Sequence, residues 1–162
     1  MGHIITDLKE TFRRGNIFIQ LIYINVSIFI IGTLINVFLQ LFQHSIPDIF
    51  GIFALPASFI RFFHQPWSII TYMFMHAGLL HILFNMLWLY WFGSIFQNTF
   101  SSQKLTGVYL LGGITGAIIY MAAYALFPAF EFERYQSWAI GASASVMAIV
   151  FAVCTYHPNY KI

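Results

Sequence analysis

An all-α, polytopic membrane helix bundle is the fold class this sequence predicts, and three observations predict it. The 162 residues are 60% hydrophobic and 20% aromatic, and only 7% are charged, against roughly 25% in a soluble domain. Apolar runs recur along the whole length instead of forming one anchor, so one domain of several spanning helices is expected. Prolines and aromatics break the pattern after the first run, which predicts a long interfacial loop there. The net charge of +2 is small and scattered; it informs topology and gives no nucleic-acid footprint. The lone cysteine, Cys154, cannot form an internal disulfide.

Residues 1–16 carry Asp7, Lys9, Glu10, Arg13 and Arg14 and read as a cytoplasmic amphipathic lead-in; residues 17–162 form the membrane domain. The run from Ile17 to about Phe42 is too long for a signal core and lacks a small-residue cleavage site, so it is the first span. Its polar residues Asn25, Ser27, Thr33 and Asn36 are expected to face neighbouring helices. From Gln43 to about Met75, Pro47, Gly51, Pro56 and Pro66 exclude a straight span. Phe50, Phe53, Phe59, Phe62, Phe63 and Trp67, mixed with Asp48, Arg61 and His64, suit short amphipathic helices at the membrane boundary.

The second span covers about Leu79 to Phe96. After a short polar connection the third covers about Lys104 to Phe127, with Gly112/Gly116 and Gly113/Ala117 as small-xxx-small pairs that let backbones approach. A loop follows, and then a fourth apolar segment, Ser143 to Tyr156, whose Ala144, Ala148 and Ala152 repeat every fourth residue. Its about 14 residues reach only ~21 Å, less than the ~30 Å hydrocarbon core. Placing the amino terminus in the cytoplasm puts Lys9, Arg13, Arg14, Lys104 and Lys161 inside and leaves Arg61 and Arg134 outside, as the positive-inside rule requires. The second and fourth helices then both start at the outer face.

Chemistry is suggested where polar residues interrupt apolar helices, since ionisable and hydrogen-bonding groups in hydrocarbon need partners or work. His81 and Asn85 are four apart and share one helix face; His76 precedes that helix, where it can brace the loop. Ser143 sits among small residues in Gly141-Ala142-Ser143-Ala144, where a loop becomes a helix. Backbone N–H groups there stabilise negative charge, and His81 and Asn85 are candidate oxyanion donors, so acyl transfer is indicated. A serine at a helix start also serves as a cap. A metal at His76 and His81 is not expected: a spacing of five suits no helix face, and no third ligand is near.

The stretch from Pro66-Trp67 through His76, His81 and Asn85 to Trp88, followed by Gly141-Ala142-Ser143-Ala144, resembles the rhomboid family of intramembrane serine proteases. The resemblance runs from about Ile17 to the end, including the interfacial loop and the short fourth helix. It implies Ser143 as nucleophile, His81 and Asn85 with the Ser143 N–H as oxyanion site, Gly141 as the residue shaping the site, and Trp67 and His76 as structural neighbours. The implied reaction is cleavage of single-pass transmembrane substrates near the outer membrane face by a Ser-His dyad, without cofactor. The family's general-base histidine lies on a sixth helix, so the domain is expected to be the first four helices of a six-helix core, inactive without the helices carrying that base. Ser68 stands where the family often has arginine, and Ala144 where glycine usually follows the nucleophile. His157, about 21 Å along the helix from Ser143, is out of reach for proton transfer. A bacterial inner membrane with a cytoplasmic amino terminus is the expected location. The alternatives are a non-catalytic rhomboid-like protein that binds transmembrane segments, and a transporter fragment.

Overall fold

A computed structural model describes residue 12 and residues 15–42 and 49–156. Most of the expected lead-in, residues 43–48 and residues 157–162, His157 among them, lie outside the described residues. In chain order the elements are α1 (Ile17–Leu41), α2 (Ile49–Phe53), β1 (Leu55–Pro56), α3 (Phe59–His64), α4 (Ser68–Thr71), a 3-10 turn (Tyr72–Phe74), α5 (Leu79–Thr99), α6 (Ser102–Leu126), a second 3-10 turn (Pro128–Phe130), β2 (Trp138–Ala139) and α7 (Ser143–Tyr156). Helices α1, α5 and α6 are long and apolar enough to cross a membrane, whereas α7 has 14 residues. The all-α bundle is therefore as hydropathy predicts. The connection between α5 and α6 is shorter than expected because Gln97 remains helical and its Nε2 donates to Ser102 Oγ at 2.7 Å.

The short helix α7 occupies the bundle interior because small residues let it. A Cβ on Gly116 would stand 2.5 Å from that of Ala144, and one on Gly112 would collide with that of Ala148. The glycine ridge of α6 and the alanine ridge of α7 thus lie backbone to backbone, the close packing that replaces a hydrophobic driving force in lipid. On the other side of the bundle, a Cβ on Gly93 would come 2.7 Å from that of Phe18, which sets the α1–α5 approach.

Helix α1 buries Phe18, Leu21 and Asn25 in the bundle, with Ile22, Val26 and Phe29 packed against the core beside them. Of the four polar residues expected to face neighbours, Asn25 does so, and its Nδ2 donates to Leu21 O at 2.8 Å and to Tyr109 Oη at 3.3 Å. Ser27, Thr33 and Asn36 are exposed, which corrects that expectation. Beyond Phe29 no residue of the helix packs against the core cluster among the described residues, and Asn36 instead accepts from Gln40 one turn on, at 3.5 Å.

The interfacial loop folds back on itself through side chains. Gln65 Nε2 donates to Ala54 O at 3.0 Å, Trp67 Nε1 to Ile52 O at 2.9 Å and Thr71 Oγ1 to Phe53 O at 2.8 Å. Phe59, Ile60, Phe63 and Trp67 are left exposed, the amphipathic surface expected at a headgroup boundary. The sequence gives no sign of the strand pair that joins this loop to the one before α7. Leu55 pairs antiparallel with Ala139 and Pro56 with Trp138. Ala57 N–H extends the ladder to Ser137 O at 3.1 Å, and Arg61 lies 4.4 Å over the Trp138 ring. Arg134 closes the other loop by donating to Tyr124 O and Ala125 O at 2.7 and 3.1 Å, satisfying carbonyls at the end of α6.

Candidate active site

Two serines stand in the Gly141-Ala-Ser-Ala-Ser145 stretch, and the bundle treats them oppositely. Ser145 is fully buried, its Oγ without a partner and beside the space that a Gly113 Cβ would take. Ser143, the first residue of α7, is exposed. The first backbone bond at this helix start runs from Val146 N–H to Ala142 O at 2.8 Å. The Ser143 N–H, at a position where helix geometry supplies no intrahelical partner, makes no hydrogen bond among the described residues.

The turn ahead of Ser143 is held from the interfacial loop. Gly141 has φ +125°, a conformation side chains disfavour, and a Cβ there would lie 2.6 Å from His81 Nε2 and 2.7 Å from its Cε1. Glycine is thus required twice over, and the imidazole of His81 rests on the turn. Gly141 N–H donates to Tyr72 O at 2.9 Å, and Ala142 N–H approaches His76 Nε2 at 3.5 Å. His76 is 1% exposed, edge to face with His81 at 5.1 Å between ring centroids. Burial pulls its pKa from the ordinary 6.5 down to about 4; His81 adds to this and the Phe74 backbone opposes it. A neutral imidazole is what an acceptor for Ala142 N–H must be, so His76 braces the turn.

Asn85, one turn beyond His81 on α5, is buried, and its Nδ2 donates to His81 O at 2.8 Å. One amide hydrogen is spent within the helix and the second remains. Trp67, expected as a structural neighbour of the site, is the loop staple already described, donating to Ile52 O. Trp88 is half-exposed and stacked on Phe92.

Two residues that the sequence reading passed over organise the site from behind. Tyr72 donates through its hydroxyl to Gly113 O at 2.6 Å, and Tyr109 to Met73 O at 3.3 Å. The signal was present: Tyr109 shares a face with Gly113 and Ala117 on α6, and an inward tyrosine needs a partner for its hydroxyl. No group of three metal-ligating side chains occurs among the described residues. His64, the third described histidine, sits on α3 with Nδ1 2.8 Å from Ile60 O.

The Rhomboid domain family model matches residues 64–162, more than half of the chain. The chain belongs to the rhomboid family. Among its relatives, rhomboid protease GlpG of Haemophilus influenzae is 40% identical over 67 residues, which cover 41% of this chain and 33% of that protein. Rhomboid-related protein 1 of Caenorhabditis elegans is 32% identical over 110 residues, 68% of this chain and 26% of that protein. RHOMBOID-like protein 12, mitochondrial, of Arabidopsis thaliana is 31% identical over 100 residues, 57% and 30% respectively. The chain spans a third or less of the length of these relatives, and they include a protein named as mitochondrial.

Proposed function

We propose that this rhomboid domain belongs to an intramembrane serine endopeptidase in which Ser143 is the nucleophile. The observation that carries the reading is the pairing of an exposed Ser143 hydroxyl with an unbonded Ser143 N–H, on a turn whose two preceding amides are already held. In the proposed reaction the Ser143 Oγ attacks the scissile carbonyl of a transmembrane substrate and its proton passes to a histidine base. The oxyanion receives the Ser143 N–H, the free Asn85 amide hydrogen and His81, and such donors are usually the largest single contribution to rate. The amine leaves with the base's proton, and water then hydrolyses the acyl-enzyme by the same route in reverse.

The base is proposed to lie on a further helix outside this chain, because His76 Nε2 accepts Ala142 N–H, His81 is assigned to the oxyanion, and His64 is bonded on α3. On this proposal the 162 residues alone do not turn over substrate. Charge supports an orientation with Lys104 on the cytoplasmic side and Arg61 and Arg134 outside, which sets Ser143 toward the outer face.

The rival reading, a rhomboid-like protein that binds transmembrane segments without cutting them, is favoured because the proposal leaves no described histidine for the base: His76 braces the turn, His81 is given to the oxyanion and His64 sits on α3. Fluorophosphonate labelling of the full-length protein in liposomes separates the two. Protease chemistry expects labelling and cleavage of a transmembrane substrate, both lost in Ser143→Ala. Cleavage that persists in Ser143→Ala would refute the assignment, and an unlabelled protein that still binds transmembrane peptides would establish the rival.

A further inference from the structure

We infer that Tyr72 is a positioning residue for Ser143, acting through the Gly141 turn; the inference rests on the proposed nucleophilic role of Ser143. Tyr72 is 4% exposed and bonded at both ends. Its hydroxyl donates to Gly113 O on α6 at 2.6 Å, and its own carbonyl accepts Gly141 N–H at 2.9 Å and Met75 N–H at 3.2 Å. One residue therefore ties the interior of α6 to the turn that carries the nucleophile.

The surroundings make this tie stiff. The ring fits where α6 has no side chains: a Cβ on Gly116 would stand 3.5 Å from the Tyr72 hydroxyl, and one on Gly113 would run into the Met73 side chain. The next carbonyl, Met73 O, is held by Tyr109, which in turn accepts from Asn25 on α1. Helices α1 and α6 thus both grip the Tyr72-Met73 pair. Downstream, Gly141 has φ +125° with His81 against it, so a displacement of Tyr72 O reaches Ala142, the Ser143 N–H and the His81 ring together. Tyr72 touches no reacting atom in this arrangement; its effect is on where the reacting atoms stand.

Tyr72→Phe removes the hydroxyl and keeps the packing. In the full-length protein the expected result is a loss in kcat of about 10- to 100-fold, the range that small misplacements of catalytic groups produce, with KM unchanged within about twofold, because remote substrate contacts are untouched. Hydrogen exchange at the Gly141 amide should accelerate at the same time. Gln65→Ala, which loosens the same loop at its far end, should leave both readouts near the parent. Unaltered kcat and unaltered Gly141 exchange in Tyr72→Phe would overturn the inference, and so would an equal kcat loss in Gln65→Ala, which would mark the effect as general loosening. A parent that neither cleaves nor labels would end the protease reading, while the exchange at Gly141 would still decide whether Tyr72 holds the turn.

Discussion

Gly141→Ala adds one methyl group at the point where the site is tightest. Two penalties follow from the geometry. The φ of +125° is one that a side-chain residue holds at a cost of about 1–3 kcal/mol. The new carbon would also lie 2.6 Å from His81 Nε2, about 1 Å inside ordinary contact between heavy atoms. The imidazole or the turn must move by roughly that distance, and a misplacement of about 1 Å in a catalytic group costs on the order of 10²-fold in rate. The expected outcome is a small fall in stability and a far larger fall in kcat. Thermal unfolding in detergent measures the first, and cleavage of a transmembrane substrate by the full-length protein in liposomes measures the second. A Gly141→Ala protein with activity within about twofold of the parent would refute both the conformational requirement and the placement of His81 in the site.

Three further outcomes are expected. Asn85→Ala removes a candidate oxyanion donor and should lower kcat by about 10²- to 10³-fold, read in the same cleavage assay; an unchanged rate would take Asn85 out of the oxyanion site. His76, held at about 4 against an ordinary 6.5, binds its proton more readily when unfolded. Its contribution to stability is therefore complete above about pH 6.5 and is lost as pH falls toward 4. The unfolding midpoint should drop across that window in the parent, and the slope should flatten in His76→Asn. Gly112→Leu drives a side chain into Ala148 and Ala144 and should separate α6 from α7, with a loss of about 1–3 kcal/mol or more, typical of overpacking; an unshifted midpoint would contradict the ridge packing.

Local patterns told the sequence reader most of the fold. Hydropathy placed the three spans and the short α7, and the four-residue spacings of Gly112/Gly116 and Ala144/Ala148 announced the pair that packs backbone to backbone. His81, Asn85 and Ser143 stood out as candidates because polar residues in hydrophobic surroundings demand a reason, whereas Gly141 was singled out only by the family resemblance. What escaped was non-local and carried by the backbone. Two residues, Leu55 and Pro56, pair with Trp138 and Ala139 across more than 80 positions, too short for alternation to register. The Tyr72 carbonyl is invisible in a list of side chains, so its hold on Gly141 could not be read. The exposure of Ser27, Thr33 and Asn36 depends on where α1 leaves the bundle, which periodicity does not report.

The interfacial loop has a physical task that follows from membrane depth. With the inner end of α7 at the membrane boundary, a helix of about 21 Å leaves its first residue roughly 9 Å below the far surface of a ~30 Å core. Irregular backbone is tolerated at such depth only where protein or a water-filled cavity satisfies it. The segment 137–142 meets that condition through groups of the loop: Ala57 N–H for Ser137 O, β1 for Trp138 and Ala139, Tyr72 O for Gly141 N–H and His76 Nε2 for Ala142 N–H. The satisfaction stops at Ser143, whose N–H has no partner among the described residues. A helix-start amide left without an intrahelical partner is a ready donor; on a turn whose two preceding amides are held, it has the preorganisation that the proposed oxyanion site would use.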